Sequence, residues 1–384
     1  MNANVLLKLK GHERPITNIL IDDKNNLIST SKDSKLLIWE KYRTIKKVNC
    51  SGTIWFVMSD SSKLYIGTAD GTFSLYDYEG NLISSYVDCG PIRYIHYDKF
   101  NNIFYILSKK LLKKESVLSV LDSNLLKICD YEFDIEYNRG YFTSKKKLVC
   151  GGCDGNLTFF TFVDNKLVIL KKLNLHKAEI TSINEYNNIL FTSSFDCCLK
   201  AIDIESLQNK YTFKHTTGIL SFSINKSRNL IAIGGGPDKM LISNTSDNNK
   251  FDIVLIDLLN GEKLFEIDSK HFGPINSIYF NEIDNKIITG GEDGFIHIWD
   301  CNNQWIEKYT LRYMIEEVKK IKLSISESYK LHKNIPNGKE ARLKRRNLKK
   351  KIDKLENRVN IIDKKIIDYC YENKLSKLEV LNLQ

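Results

Sequence analysis

The sequence predicts an all-β ring, a seven-bladed β-propeller over residues 1–304 closed by its own N-terminal strand, followed by a basic helical extension over 305–384. Three observations carry this expectation. An aspartate recurs six residues ahead of an aromatic or apolar position: Asp33 before Trp39, Asp70 before Tyr76, Asp154 before Phe160, Asp196 before Ile202 and Asp293 before Trp299. The steps between these aspartates sit near 42 residues, being 84 from Asp70 to Asp154 and 42 from Asp154 to Asp196. That period suits a repeat of one four-stranded sheet. Finally, the pattern of apolar residues changes from strand-like to helical near residue 305.

Each repeat reads as short strands separated by turns. "ITNILID", "NLISTS" and "KLLIWE" are rich in β-branched residues and bounded by Asn, Asp and Lys clusters. "TADG", "GCDG" and "GEDG" are tight-turn sequences whose glycine is free to take positive φ. Seven units fit, over about 11–47, 48–87, 88–131, 132–173, 174–213, 214–269 and 270–304, with a weaker landmark at Asp238. The sixth is lengthened by the polar segment "SNTSDNNK", read as a loop insertion. The seventh has three evident strands, and "NVLLKLK" at residues 4–10 is expected to supply the fourth. Pairing of first strand with last blade removes an open edge.

Charge divides the chain in the same place. Residues 305–384 hold 21 Lys+Arg against 11 Asp+Glu, the whole net charge of +10, which leaves 36 of each sign in 1–304. Hydrophobic residues make up 42%, enough for a core. No apolar run is long enough for a signal peptide or a membrane span, so a cytoplasmic location and reduced thiols are expected for the nine cysteines.

The polar landmarks are expected to link loops to strands within a blade. His12, Ser29, Asp33 and Trp39 form one set, and His271, Thr289, Asp293 and Trp299 repeat it, with Asp293 expected to be the buried acceptor for both His271 and Trp299. His176, Thr192 and Asp196 repeat three members. A buried carboxylate needs donors, and His with backbone N–H groups would supply them. A hydrolase triad uses the same residue types, but it is built once, whereas this set recurs. Cys150 and Cys153 have the spacing of a metal or redox pair without a matching second pair. "IAIGGGPDK" at 231–239 lacks the Gly-Lys-Ser/Thr ending of a phosphate loop. No catalytic, cofactor or metal site is therefore expected, and the chain reads as a non-enzyme.

In the extension, Leu311, Met314, Val318, Ile321 and Ile325 are spaced by threes and fours. "NIPNG" at 334–338 breaks the pattern, and Leu348, Ile352, Leu355, Val359, Ile362, Ile366 and Tyr369 form a second stripe. Two such stripes predict a helical hairpin of coiled-coil type, whose second seam also suits a partner helix. "RLKRRNLKKK" at 342–351 carries seven positive charges, with Arg342, Arg345, Arg346 and Lys349 on one side of a helix. It is either a solvated face or a contact for RNA or an acidic partner.

The landmarks resemble those of WD-repeat propellers. More specifically, "LKGHERPITNI", "SGTIWFV" at 51–57, "IGGG" at 233–236 followed by "NKFDI" at 249–253, and "HFGPINSIYF" with "GGEDGFIHI" are similar to segments of the family of subunit I of eukaryotic translation initiation factor 3. The resemblance covers about residues 4–300 and is weak in blades three and four. It implies a non-catalytic scaffold that joins subunits B and G of the factor on the small ribosomal subunit, with a terminal helix of the first of these packed on the propeller. Direct rRNA or mRNA contact would fall to the basic tail. The alternative is a WD-repeat adaptor of another complex, such as one in ribosome assembly. The chain departs from the family pattern at Pro237–Ser243, and at Asn49 and Cys50 where Gly-His would stand.

Overall fold

The computed structural model describes residues 5–88, 90–110, 115–237, 251–300, 318–319, 321–333 and 339–372. The chain divides into two compact units, Met1–Asp300 and Cys301–Gln384. The division lies four residues before the expected one, because the last propeller strand ends at Asp300.

The first unit is seven four-stranded antiparallel sheets. Blade 1 runs from β2 (Ile16–Ile21) to β5 (Arg43–Asn49), blade 2 from β6 (Ile54–Ser59) to β9 (Leu82–Val87), and blade 3 from β10 (Ile92–Asp98) to β13 (Lys127–Glu132). Blade 4 runs from β14 (Tyr137–Phe142) to β17 (Lys166–Asn174), blade 5 from β18 (Ile180–Tyr186) to β21 (Asn209–Lys214), and blade 6 from β22 (Ile219–Asn225) to β25 (Lys263–Asp268). Blade 7 joins β26 (Ile275–Asn281), β27 (Lys286–Gly291) and β28 (Ile296–Asp300) to β1 (Val5–Leu9). In that pairing Leu9 faces Ile296 and Val5 faces Trp299. Lys8 adds its ammonium to the face of Phe295, 3.7 Å from the ring centre. The landmark Asp238 and the polar insertion of blade 6 lie outside the described residues.

The first strand of each blade touches that of the next, and β26 touches β2, so the ring closes. The core lies between blades. Ile28, Leu36 and Ile38 of blade 1 pack with Ile54, Leu64 and Ile66 of blade 2, and Ile288, Ile296 and Ile298 of blade 7 pack with Ile16 and Trp39 of blade 1. Glycine permits the closest approach: a Cβ on Gly290 would come within 2.4 Å of Ile16, and one on Gly67, Gly151 or Gly234 would meet Ile92, Ile180 or Ile275 in the same way. The turn glycines Gly71, Gly155 and Gly294 have φ of 89°, 79° and 79°. Blades 1 and 5 put Ser34 and Cys197 there, at φ 63° and 65°.

In the second unit, α1 covers 318–333 with residue 320 undescribed, and α2 is Lys339–Glu372. Val318 and Ile321 pack on Val359 and Ile362, with Ile325, Leu355 and Ile366 half-buried beside them. The helices are antiparallel, because Lys322 pairs with Asp363 at 3.8 Å while Tyr329, further along α1, donates to Glu356, further back on α2. Leu311, Met314 and the "NIPNG" breaker lie outside the described residues, as does the side chain of Tyr369.

Removing residues 1–10 is expected to open the β28 edge and lower the propeller's Tm, whereas ending the chain at residue 304 leaves every described blade strand in place. Thermal melts of the two truncations beside the full chain check this. Equal Tm for the N-terminal deletion and the full chain would refute the role of β1.

Candidate functional site

Three of the expected polar sets are assembled, one per blade, on the face formed by the loops that enter each first strand. In blade 1, His12 Nδ1 lies 3.1 Å from Asp33, and His12 Nε2 lies 2.9 Å from Ser29 Oγ. Trp39 donates its indole N–H to Ser29 at 2.8 Å. The ring nitrogen facing the carboxylate carries the proton, and the other accepts from Ser29 O–H. The Asp33 carboxylate also accepts from the backbone N–H groups of Glu13 and Lys35, both at 3.0 Å. One aspartate therefore holds the entering loop and the following turn together.

Blade 5 repeats this with His176, Thr192 and Asp196, and blade 7 with His271, Thr289 and Asp293. Trp299 donates to Thr289 Oγ1 at 3.1 Å, not to Asp293, which corrects the expectation that the aspartate serves both donors. Asp293 instead accepts from the amides of Phe272 and Phe295. Blade 2 replaces histidine with Cys50 and tryptophan with Tyr76, which hydrogen-bond each other; burial pushes the Cys50 thiol up to about 12. In blade 4 no histidine reaches Asp154 among the described residues, and Asp154 accepts from the Asn156 amide at 3.0 Å.

The Ser29–His12–Asp33 order matches a hydrolytic triad, but Ser29 is fully buried and its oxygen is occupied by Trp39. No substrate carbon reaches it. Cys150 is buried and Cys153 is exposed, and burial raises both thiols. Among the described residues, no three His, Cys, Asp or Glu side chains gather as a metal site. The "IAIGGG" segment is strand Leu230–Gly235 and its exit, with no helix at that point among the described residues.

On α2, Ile352, Val359 and Ile362 are buried and Leu348, Leu355 and Ile366 half-buried, and α1 covers the seam from Leu355 to Ile366. Arg346 and Lys349 are exposed, Arg345 is half-buried next to the seam, and the side chain of Arg342 is outside the described residues.

One feature escaped the reading of the sequence. The first strand of every blade has a bulge at its second residue. A bulged residue leaves the ladder and its side chain is re-aimed. The seven are Thr17, Trp55, Arg93 and Asn138 in blades 1–4, and Thr181, Leu220 and Asn276 in blades 5–7; all line one central cavity of about 440 Å³. The available signal was the residue after the opening apolar position of each blade, as in "PITN", "TIWF", "PIRY" and "PINS".

Around this cavity the blades are tied side chain to backbone. Asn276 donates to Ile16 O at 2.9 Å and Asn18 to Trp55 O at 2.8 Å, while Arg139 Nε donates to Thr181 O and Thr181 O–H to Ile219 O. Blades 2 and 3 meet through Phe56 and Tyr94, edge to face at 5.2 Å. At the rim, Lys32 pairs with Glu292 at 2.9 Å and Lys109 with Glu136 at 2.8 Å.

Comparison with known proteins agrees with this architecture. The family model described as "WD domain, G-beta repeat" matches residues 3–40 and 262–300, the segments that hold the blade 1 and blade 7 networks. The chain is 23% identical over 350 residues to eukaryotic translation initiation factor 3 subunit I of Saccharomyces cerevisiae (strain ATCC 204508 / S288c), covering 84% of this chain and 99% of that protein. It is 27% identical over 323 residues to the same subunit of Drosophila melanogaster, covering 78% and 98%. Among solved structures, the WD40 β-propeller domain of Doa1 superimposes with a TM-score of 0.62 at 14% identity, over 78% of this chain and 97% of that one, a likeness of fold alone. No helix of the described residues is long and apolar enough to cross a membrane.

Asp293→Ala is expected to cost on the order of 2–4 kcal/mol, because it strands His271 Nδ1–H and two backbone amides at once. Asp23→Ala, at an exposed position, serves as the neutral control. Urea melts of the two variants give the comparison, and a neutral Asp293→Ala would refute the tether.

The histidines set an acid limit. Burial lowers the pKa of His96 and His297 from 6.5 to about 4, and lowers His12 and His176 as well. The unfolded chain therefore takes up protons that the fold refuses, so this stability is complete above pH 6.5 and is lost as pH falls toward 4. His96→Phe keeps the ring stacked 4.3 Å from Phe142 and removes one such group. Tm measured from about pH 7 to about pH 4 is expected to fall less steeply in that variant than in the parent chain. An unchanged slope would remove His96 from the effect.

Proposed function

We propose that this chain serves as the subunit I component of eukaryotic translation initiation factor 3, a cytoplasmic, non-catalytic scaffold that links other subunits on the small ribosomal subunit. The supporting observation is coverage: the named relatives align over nearly their whole length, 98–99% in two of them, and not over a single shared repeat. Those relatives carry the name of a translation initiation factor, and a role in initiation follows from that likeness. The rest is read from the molecule. Its His–Asp sets are spent inside blades, and its outer surface remains for partners. The proposed partners are the B and G components of the factor, with a terminal helix of the former on the propeller.

The basic run of α2 extends the reading to RNA. Arg346 and Lys349 are exposed on a helix in the unit that carries the excess charge, so attraction to rRNA or mRNA belongs there.

Purification of the tagged full chain from its own cells is expected to bring down both of those components. Recovery of ribosome-assembly factors without them would favour the other adaptor reading. RNA affinity measured against salt should fall steeply for the full chain and lose most of its salt slope when Arg342, Arg345, Arg346 and Lys349 are changed to Gln. Superimposed titrations would make the run a solvated face.

A further inference from the structure

The central cavity holds two guanidiniums that no carboxylate of the described residues neutralises by direct contact. Arg93, the bulge residue of blade 3, lies with its guanidinium carbon 4.4 Å from the centre of the Trp55 ring. Its Nε is sealed from solvent and has no hydrogen-bond acceptor. Arg139, on the next blade, spends its Nε on Thr181 O and one terminal nitrogen on Asn138 O at 2.9 Å, both backbone carbonyls. Both arginines are half-buried, and a cation removed in part from water without a carboxylate or a full set of acceptors is costly. Burial lowers the pKa of both arginines, and for Arg93 the charge of Arg139 adds to it. The two cations thus destabilise each other in a space that the protein leaves open.

The nearby carboxylates do not fill this role. Glu136 is held by Lys109, Glu292 by Lys32 and Asn276, and Glu179 accepts from Asn138 at 3.0 Å. Glu136 and Glu179 act on Arg93, and Glu179 on Arg139, through space only. Beside the arginines, Asn138 Oδ1 is buried without a donor. An occupant must therefore bring a carboxylate-like acceptor and an N–H donor side by side. A peptide with an acidic side chain does so, since its backbone carries an N–H at every residue except proline.

We propose that the central cavity clamps the carboxylate of an Asp or Glu from an acidic peptide segment of a partner protein, between Arg93 and Arg139, with Asn138 accepting a backbone N–H of that segment. Trp55 backs the Arg93 guanidinium, and the Thr181 and Asn138 carbonyls hold the Arg139 fork, so both are set before the ligand arrives. Glu136 and Glu179 in the cavity wall offset much of its positive charge, which disfavours a polyanion such as RNA and favours a single carboxylate. The inference is independent of the initiation-factor reading, because a propeller in any complex would carry it.

The test is selection of a displayed library of random peptides, each long enough to enter the cavity, on the full chain. Enriched peptides are expected to share an Asp or Glu at one fixed position. Changing that residue to Asn or Gln, or changing Arg93→Gln in the protein, should weaken binding at least tenfold. Arg93→Gln removes an unneutralised cation, so its Tm should equal or exceed that of the parent; should it fail to fold, Arg93→Lys, which keeps the charge but loses the fork, takes its place in the same assay. The proposal is overturned if no peptide is enriched, if enriched peptides lack the fixed acid, or if they bind the Arg93 variant equally. It is overturned as well if a short RNA or inorganic phosphate binds in an Arg93-dependent way while no peptide does.

Discussion

The packing of the last blade against the first is the constraint on which the rest of the propeller depends. A four-stranded sheet has two apolar faces and cannot cover both alone. Each blade here covers its neighbours, and the arrangement is complete only because β26 reaches β2 and Gly290 admits Ile16. Pairing of β1 with β28 ties the closing blade to the opposite end of the chain. Closure is thus a contact between the two ends of the propeller sequence, and the other six interfaces are local by comparison.

Two polar systems work within that ring, and they differ in what they fix. The His–Asp sets are internal to a blade: one carboxylate collects a histidine and two amides, and the histidine leads through Ser or Thr to a tryptophan or its replacement. They determine how the loops enter the strands. The ties around the cavity run from one blade to the next and use backbone carbonyls as acceptors. The bulge side chains of Thr181 and Asn276 make two of these ties, donating to Ile219 O and Ile16 O. Trp55, Arg93 and Leu220 differ widely in chemistry at equivalent positions. The same repeat therefore supplies a recurring frame and a varied set of residues at its centre.

The helical unit follows other rules. Its buried residues form one narrow stripe per helix, and the second helix has more of its length in apolar rhythm than the described part of the first can cover. Leu323 and Leu331 on α1 and Ile361 and Ile367 on α2 are also exposed, outside the stripes expected from spacing. Cationic side chains share α2 with its seam, so Arg345 is half-buried while Arg346 is exposed. A propeller of net zero charge followed by a unit of net +10 separates shape recognition from long-range attraction along the chain.

By itself the sequence determined the number of blades, the strand that closes the ring, the residues of the three His–Asp sets and, among the described residues, the facing stripes Val318–Ile325 and Leu355–Ile366. These are legible because each is periodic: a turn, a buried carboxylate or an apolar face recurs at a spacing that local geometry dictates. The sequence did not determine that Trp299 would meet Thr289, since spacing places residues on strands without choosing among acceptors a strand apart. Nor did it show Arg93 and Arg139 in one cavity. They stand 46 residues apart in sequence, Arg93 at a bulge position whose residue type changes from blade to blade and Arg139 one residue past the next bulge. Only closure of the ring brings the bulge positions of all seven blades around one axis, and only there does Arg93 become a half-buried charge whose Nε is sealed without an acceptor.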